Sequence, residues 1–280
     1  MHVAAAPPRE ESQVRMLGED NPNVMLIGHE RLFYNGLLGR ACRLRAPGAF
    51  VIYASPVGSF GLSIAGGPAQ QRRIATVRPY LAHRVTSASD LISVLMIEPE
   101  SVADDQIRDL EARIGTASGA ADIYARIDAA KAALAGTADC SGFASADFDR
   151  LFLGRPLAPR PLDERIERTI RRLVHDVPAA TVTAQDCARE AGLSKSRYLH
   201  LFSQETGLRF RSVRMWKRAR ALMPHVNGPD NLTHVAMDLG YPDSTHFSHS
   251  IRRIYGLTPS SIFRGSRQLR IVPGAHCPAA

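Results

Sequence analysis

An internal repeat in the C-terminal part of the chain constrains the fold more than any other feature. When Ser194 and Asp243 are aligned as helix N-caps, the residues four, eight, thirteen and fourteen positions further on match in chemical type. The matched pairs are Tyr198 with Phe247, Phe202 with Ile251, Gly207 with Gly256, and Leu208 with Leu257. Apolar residues four apart share one face of a helix, and a serine or aspartate cap marks its start. Each copy therefore predicts a helix, a tight turn and a second, capped helix.

The turns between the paired helices carry a second signal. Ala188 and Ala236 are each followed, four residues later, by a glycine. A small residue lets two helices cross closely, and a glycine allows the chain to turn tightly between them. The stretch 209–223 between the copies is long enough for a connecting helix, whose inward side chains are predicted to be Val213, Trp216 and Ala219.

The other positions on the two capped helices are polar. Hydroxyl, imidazole and cationic side chains can hydrogen-bond base edges and phosphates in a major groove that is wide enough for one helix. These positions are Lys195, Ser196, Arg197 and His200 in the first helix, and Ser244, Thr245, His246, Ser248, His249 and Arg252 in the second. Two such helices, held about 34 Å apart, would reach successive major-groove segments of one duplex.

Positive charge is concentrated in the same part of the chain. Residues 161–280 contain 18 Lys and Arg against 10 Asp and Glu, a net charge of +8, whereas residues 1–160 contain 17 of each. A basic segment joined to a neutral one is typical of nucleic-acid binding. On charge alone, the alternative that this basic surface is only solvated remains open.

Composition also restricts the cellular compartment. No run approaches the roughly 18 apolar residues of a membrane helix, and the first residues lack the pattern of a secretory signal. The cysteines, at positions 42, 140, 187 and 277, lie far apart, which suits a reducing cytosol. We therefore expect a cytoplasmic, nucleoid-associated protein with neither disulfides nor a cysteine-bound zinc.

The N-terminal half has a different pattern. Residues 29–100 contain short runs of aromatic and β-branched residues separated by glycine and proline, which predicts an all-β sandwich or a small barrel. Residues 104–114 and 121–134 have helical spacing and could pack on the barrel or on a second subunit, so a homodimer through 104–134 is predicted. The expected organisation is a flexible arm (1–24), a sensor or dimerisation domain (25–150), a Pro-rich linker (151–162), a DNA-binding domain (163–270) and a tail (271–280).

The C-terminal residues resemble the signature of AraC/XylS-type transcription regulators. The resemblance rests on Gly240-Tyr241, Asp243, His246-Phe247-Ser248, Arg252-Arg253 and Gly256-Leu257-Thr258-Pro259, together with Leu199-His200-Leu201-Phe202, Gly207, Trp216 and Ala221-Leu222. It covers about residues 163–265. The chain departs from the family pattern at His249, where the family often has arginine, and at Ile251, where it usually has phenylalanine.

This resemblance implies a bacterial transcription activator. Its all-α double helix-turn-helix would insert two helices into adjacent major grooves of an asymmetric site. Its partners would be double-stranded promoter or operator DNA and RNA polymerase. The base readers that it implies are Ser196, Leu199, His200, Ser244, Thr245 and His249. Leu199 could offer only an apolar contact, for instance to a thymine methyl group.

The N-terminal half resembles, through residues 78–84 and 95–100, the cupin-like sensor domain that many of these regulators carry. The expected fold class is therefore α+β in two domains: a small β-barrel of the cupin-like jelly-roll type with flanking helices, and the all-α domain. The barrel would either bind a small effector or serve in dimerisation and interaction. The polar effector candidates are Tyr53, Tyr80, His83 and Arg84, whose alternative role is structural.

Motifs for catalysis are missing from the sequence. There is no GxGxxG, P-loop, GxSxG or HExxH pattern. His246 and His249 share a helix face, but zinc needs three or four ligands, and Asp243 is better used as a cap. We expect no enzyme activity, no cofactor and no metal. The alternative is an N-terminal enzyme or carrier that the basic half tethers to DNA.

Overall fold

The computed structural model describes residues 23–38, 43–136, 140, 142–175, 181–228 and 232–274. The predicted arm, 1–24, lies outside these residues except for its last two. Strands fill the described chain up to Ile97, and helices dominate after it. None of the helices described is both long enough and apolar enough to cross a lipid bilayer.

The described strands form two sheets. They are β1 (Val24–Ile27), β2 (Arg31–Leu37), β3 (Phe50–Ala54), β4 (Phe60–Ile64), β5 (Gln70–Arg72), β6 (Ile74–Val77), β7 (His83–Ser87), β8 (Leu91–Ile97) and β9 (Arg270–Pro273). The larger sheet has the order β6-β3-β8-β2-β1-β9, and the smaller has the order β5-β4-β7. Neighbouring strands are antiparallel except β1 and β9, which are parallel.

Strand β8 lies inside the larger sheet and is buried on both faces. All seven of its residues are buried, which explains why the sequence LISVLMI shows no polar alternation. Leu95 and Ile97 pack on one side of the sheet, whereas Val94 and Met96 pack on the other. The larger sheet is therefore a middle layer, with apolar cover on each face.

Three helices cover one face of this sheet: α1 (Asp104–Ile114), α2 (Ala117–Gly136) and α3 (Ser145–Leu153). Leu110, Ile114, Ile123 and Ile127 are buried there in one cluster with residues of β2 and β3, such as Phe33. The apolar faces of 104–134, which prompted the prediction of a dimer contact, are thus covered within the chain. A homodimer through this segment remains a prediction. Only the exposed faces of these helices could form its contact.

The expected small barrel is not a closed one, because the described strands divide between two open sheets. Closure is unnecessary here, since helices cover one face of the larger sheet while the smaller sheet and the C-terminal helices cover the other. The N-terminal domain is β-rich with flanking helices, and the two-domain α+β class is confirmed. The cupin-like jelly roll remains a prediction.

The C-terminal helices are α4 (Glu164–His175), α5 (Ala184–Glu190), α6 (Lys195–Thr206), α7 (Phe210–Arg220), α8 (Leu232–Asp238), α9 (Ser244–Tyr255) and α10 (Pro259–Gly265). The proposed domain boundaries need two qualifications. Helix α3 reaches Leu153, inside the predicted linker, where Leu157 is also buried. Within the predicted tail, residues up to Pro273 belong to β9, because backbone pairing with β1 orders a segment that has no side-chain periodicity.

Candidate DNA-binding interface

The two predicted helix-turn-helix units are confirmed as α5-α6 and α8-α9. The Ser194 hydroxyl accepts a hydrogen bond from the Arg197 backbone N–H at 3.3 Å, and the Asp243 carboxylate accepts one from the His246 N–H at 2.8 Å. Both capped helices end at a glycine in the left-handed region, with φ of 70° at Gly207 and 73° at Gly256. A residue with a Cβ is strained in this region, so the backbone conformation explains why glycine occurs at the end of both helices.

The apolar faces of both capped helices point into the protein. Tyr198 and Phe202 of α6 are fully buried, as is Ile251 of α9, and Phe247 is 2% exposed. The Tyr198 hydroxyl forms a hydrogen bond with Thr169 Oγ1 at 2.6 Å, which joins α6 to α4. Each helix is therefore fixed by its inner face, and its outer face is available to solvent.

The predicted DNA-facing residues lie mostly on these outer faces. Leu199 and Ser248 are half-buried, and Leu199 packs against the core of its own unit. The others are exposed, namely Lys195, Ser196, Arg197, His200, Ser244, Thr245, His249 and Arg252. Their accessibility is consistent with groove contacts, and their individual roles remain predictions.

His246 takes part in the cap of α9. Its Nδ1 lies 2.8 Å from Asp243 Oδ2, so that both its backbone and its side chain contact the same carboxylate. These hydrogen bonds lower the pKa of Asp243 from its usual value. No group of three or more His, Cys, Asp or Glu with metal-binding geometry occurs in the described part of the chain.

Helix α7 connects the two units, as predicted, and bridges their cores. Phe210 and Val213 belong to the core of the first unit, whereas Trp216 and Ala219 belong to a second core that contains Phe247. This second core continues into the larger β-sheet. Trp216 is 1% exposed, which confirms it as a core residue.

The same helix is held to the N-terminal domain by a buried ionic cluster that the sequence analysis missed. Lys217 Nζ pairs with Glu98 and lies 2.6 Å from Glu100 Oε1, and Arg220 Nε lies 3.2 Å from Glu98 Oε1. Burial opposes ionisation of Glu98, but Lys217 and Arg220 outweigh it and hold its pKa at about 2. Burial raises the pKa of Glu100. Apart from the rarity of lysine in this chain, no sequence signal links these residues.

The C-terminal end of α9 also contacts the N-terminal domain. The backbone N–H of Arg43 donates to the Gly256 carbonyl at 2.9 Å, and that of Ala46 donates to the Arg253 carbonyl at 3.0 Å. These carbonyls belong to the last turn of the helix, where carbonyls have no partner within the helix. Helix α9 is therefore anchored by residues 43–46 as well as by its own core.

The effector candidates do not form one site. The Tyr53 hydroxyl donates to His83 Nε2 at 2.7 Å, because His83 Nδ1 donates to the Leu81 carbonyl, also at 2.7 Å. Burial, with a smaller effect of Arg45, lowers the pKa of His83 to about 4. Tyr80 lies elsewhere, against Gly48 and close to Trp216. Arg84 is exposed on β7.

Comparison with known proteins supports the C-terminal assignment. A helix-turn-helix domain family matches residues 187–265. Invasion protein InvF of Salmonella typhi is 27% identical over 120 residues, which cover 40% of this chain and 56% of InvF. The HTH-type transcriptional activator RhaS of Escherichia fergusonii is 31% identical over 109 residues, covering 37% of this chain and 38% of RhaS. The chain thus spans about half the length, or less, of these curated relatives.

A solved structure of ToxT from Vibrio cholerae is 14% identical, covers 84% of this chain and 98% of its own, and has a TM-score of 0.49. The paired units and their family match define a helix-turn-helix DNA-binding domain. The resemblance of this domain to those of AraC/XylS-type regulators, predicted from residues 163–265, is confirmed. The alternative of a DNA-tethered enzyme is not favoured by these relatives.

Proposed function

We propose that this protein is a sequence-specific DNA-binding transcription regulator, and specifically an activator. The observation that carries this proposal is the presence of two capped helices with exposed polar outer faces on one buried connecting helix. The name of RhaS as a transcriptional activator supports the direction of regulation. A cytoplasmic, nucleoid-bound location and contact with RNA polymerase belong to the same proposal.

Recognition would divide between two sets of side chains. Cations such as Lys195, Arg197 and Arg252 neutralise phosphates, which gives affinity that falls with salt. Base edges are read by Ser196 and His200 on α6 and by Ser244, Thr245 and His249 on α9, with Leu199 and Ser248 at the margins of the contact. Each good base contact contributes about 1–3 kcal/mol of discrimination.

The N-terminal domain would control this recognition through its contacts with α7 and α9. A ligand that contacts both domains would bind their docked arrangement with a different affinity from the undocked one. Only such a difference in affinity can shift the equilibrium between the two arrangements. Of the four effector candidates, Tyr53 and His83 contact each other in the core, whereas Arg84 is exposed, so an effector site built from all four together has little geometric support. Dimerisation through exposed faces of 104–134 stays part of the proposal; a monomeric mass in solution at micromolar protein would contradict it.

The proposal is tested by selecting bound fragments from a random DNA pool with the purified full-length protein at two salt concentrations. We expect an enriched asymmetric site with two short boxes about one helical turn apart. The enriched sequence should be the same at both salt concentrations, whereas total binding should fall at the higher one. Diffuse enrichment that disappears with salt would contradict sequence-specific regulation.

A further inference from the structure

The predicted DNA-facing positions of α9 include a stripe that runs to the end of the helix. Thr245, His249 and Arg252 are spaced by four and then three residues, so they lie on one face. Gly256 comes four residues after Arg252 and continues the same face. Over this stripe the helix rises about 16 Å, at about 1.5 Å for each residue, whereas the major groove is about 12 Å wide. When the first turn of α9 contacts base edges, the end of the stripe therefore lies beside a phosphate backbone.

A segment of the N-terminal domain, residues 43–46, contacts this end of α9. The Arg43 backbone N–H lies 2.9 Å from the Gly256 carbonyl oxygen, and the Ala46 N–H lies 3.0 Å from the Arg253 carbonyl oxygen. The backbone of Arg43 is thus at the point where the stripe ends, and the Arg43 side chain is exposed. An exposed cation of the N-terminal domain therefore follows Arg252 at the end of the stripe.

The smaller sheet fixes the same segment on its other side. Arg45 and His83 exchange backbone hydrogen bonds of 2.9 Å in both directions. The Arg45 side chain is buried, with its guanidinium carbon 5.4 Å from the centre of the Tyr53 ring. Contacts on two sides therefore set the position of Arg43 relative to α9. Those that Arg43 makes to α9 come from its backbone, so a change of its side chain leaves them in place.

The end of α9 and the adjoining segment are positively charged. Arg43, Arg252 and Arg253 are all exposed, and neither α9 nor residues 43–46 contain an acidic residue. The C-terminus of a helix attracts cations, which gives these arginines a structural alternative. That attraction acts on stability, whereas neutralising a phosphate releases counterions and makes DNA affinity depend on salt. The two roles therefore differ in what an experiment measures.

We propose that the DNA-binding surface extends from α9 onto the N-terminal domain, where Arg43 contacts a phosphate of double-stranded DNA next to the one predicted for Arg252. The contact is made to the backbone, so it adds affinity without sequence preference. Because only the docked arrangement of the two domains brings Arg43 to the duplex, DNA binding and docking favour each other. This inference deepens the proposed function and rests on it.

The test is fluorescence anisotropy of full-length Arg43→Gln over a salt series, with a duplex from the DNA-pool selection and a shuffled duplex. We expect the salt slope of log K to fall in magnitude by about 0.9 on both duplexes. Loss of that one contact weakens binding about fivefold at about 0.15 M salt and leaves the ratio of the two affinities unchanged. Arg43→Lys keeps the charge and should restore the wild-type slope.

Arg72→Gln is the matched control. Arg72 is an exposed arginine of the same domain, but it lies on β5, at the edge of the smaller sheet away from β7 and segment 43–46. Its replacement should leave the salt slope and both affinities unchanged.

Three results for folded Arg43→Gln would overturn the proposal. An unchanged salt slope with a lower thermal midpoint would assign Arg43 to the stability of the helix end. A loss confined to the selected duplex would assign it to base readout. Loss of transcription activation with unchanged DNA binding would assign it to a protein partner.

A photocrosslink tests the same contact if Arg43→Gln fails to fold. Leu44 is 47% exposed, and p-benzoylphenylalanine in its place should crosslink to DNA beside the box that α9 reads. Val57 is 60% exposed and lies beside α2, where the Tyr124 hydroxyl donates to the Pro56 carbonyl. The same probe in place of Val57 should give no crosslink. Absence of a crosslink from position 44, or equal crosslinking from both positions, would overturn the proposal.

Failure of the proposed function would give a different result. Equal affinity of the wild-type protein for the selected and shuffled duplexes would contradict sequence-specific regulation. The salt slopes of the wild-type protein and of Arg43→Gln on the shuffled duplex would still decide whether Arg43 contacts a phosphate, since that contact does not depend on sequence.

Discussion

Trp216 Nε1 donates a hydrogen bond to Glu98 Oε1 at 3.1 Å, although 118 positions separate the two residues in the chain. Glu98 directly follows the last residue of β8, and Trp216 lies in the middle of α7. The same carboxylate pairs with Lys217 and Arg220 on that helix. The helix that connects the two helix-turn-helix units is thereby attached to the N-terminal domain through a buried glutamate.

We expect Glu98→Gln to destabilise the folded protein by about 3–5 kcal/mol, because it leaves buried Lys217 and Arg220 with one charged partner fewer. The amide oxygen still accepts from Trp216, but the amide nitrogen then faces Lys217, so the variant removes both the charge and one hydrogen-bond acceptor of Lys217. Chemical denaturation followed by Trp216 fluorescence and by circular dichroism measures it. Both probes should report one transition, since Trp216 shares a core with the N-terminal sheet.

Glu111→Gln is the matched control for that experiment. Glu111 pairs with Arg78, whose side chain is 68% exposed, and exposed ion pairs contribute little to stability. A loss in Glu98→Gln no larger than that in Glu111→Gln would show that the buried cluster does not stabilise the contact between the domains.

Stability should rise with pH between about 4 and 6.5 because of His83. Its folded pKa is about 4 and its ordinary value is 6.5, so the unfolded chain binds more protons across this window. Raising the pH through it favours the folded state by on the order of 3 kcal/mol, and lowering the pH removes that stability. His83→Gln, which retains an acceptor for Tyr53, should show a smaller rise. Equal slopes in both proteins, measured by denaturation at several pH values, would contradict a neutral buried His83.

The sequence predicted the C-terminal domain well because its signals are local. Ser194 and Gly207 lie at the two ends of one helix, and cap, turn and helix period are all read within about a dozen residues. The contacts between domains could not be predicted in this way. Lys217 and Glu98 each look like an ordinary surface charge, and only the fold brings them together. The hydrogen bonds from residues 43–46 to the end of α9 were missed for the same reason, since about 200 positions separate these segments in the chain.

We expect Arg252→Ala to weaken binding to all DNA sequences by a similar factor and to reduce the salt slope of log K by about 0.9, because Arg252 is predicted to contact a phosphate. Fluorescence anisotropy with a selected site and a shuffled duplex, across a salt series, measures both quantities. Arg84→Ala removes an exposed arginine of the N-terminal domain and should leave both unchanged. A loss confined to the selected site would assign Arg252 to base readout instead.

The central claim is that α6 and α9 read different halves of one site. Its most direct test is the DNA-pool selection repeated with Ser196→Ala/His200→Ala and with Ser244→Ala/Thr245→Ala. Each double variant should lose preference at one box and keep it at the other, at a cost of about 1–3 kcal/mol for each lost contact. The claim would be contradicted if either variant lost sequence preference at both boxes. It would also be contradicted if a variant lost affinity equally for every sequence.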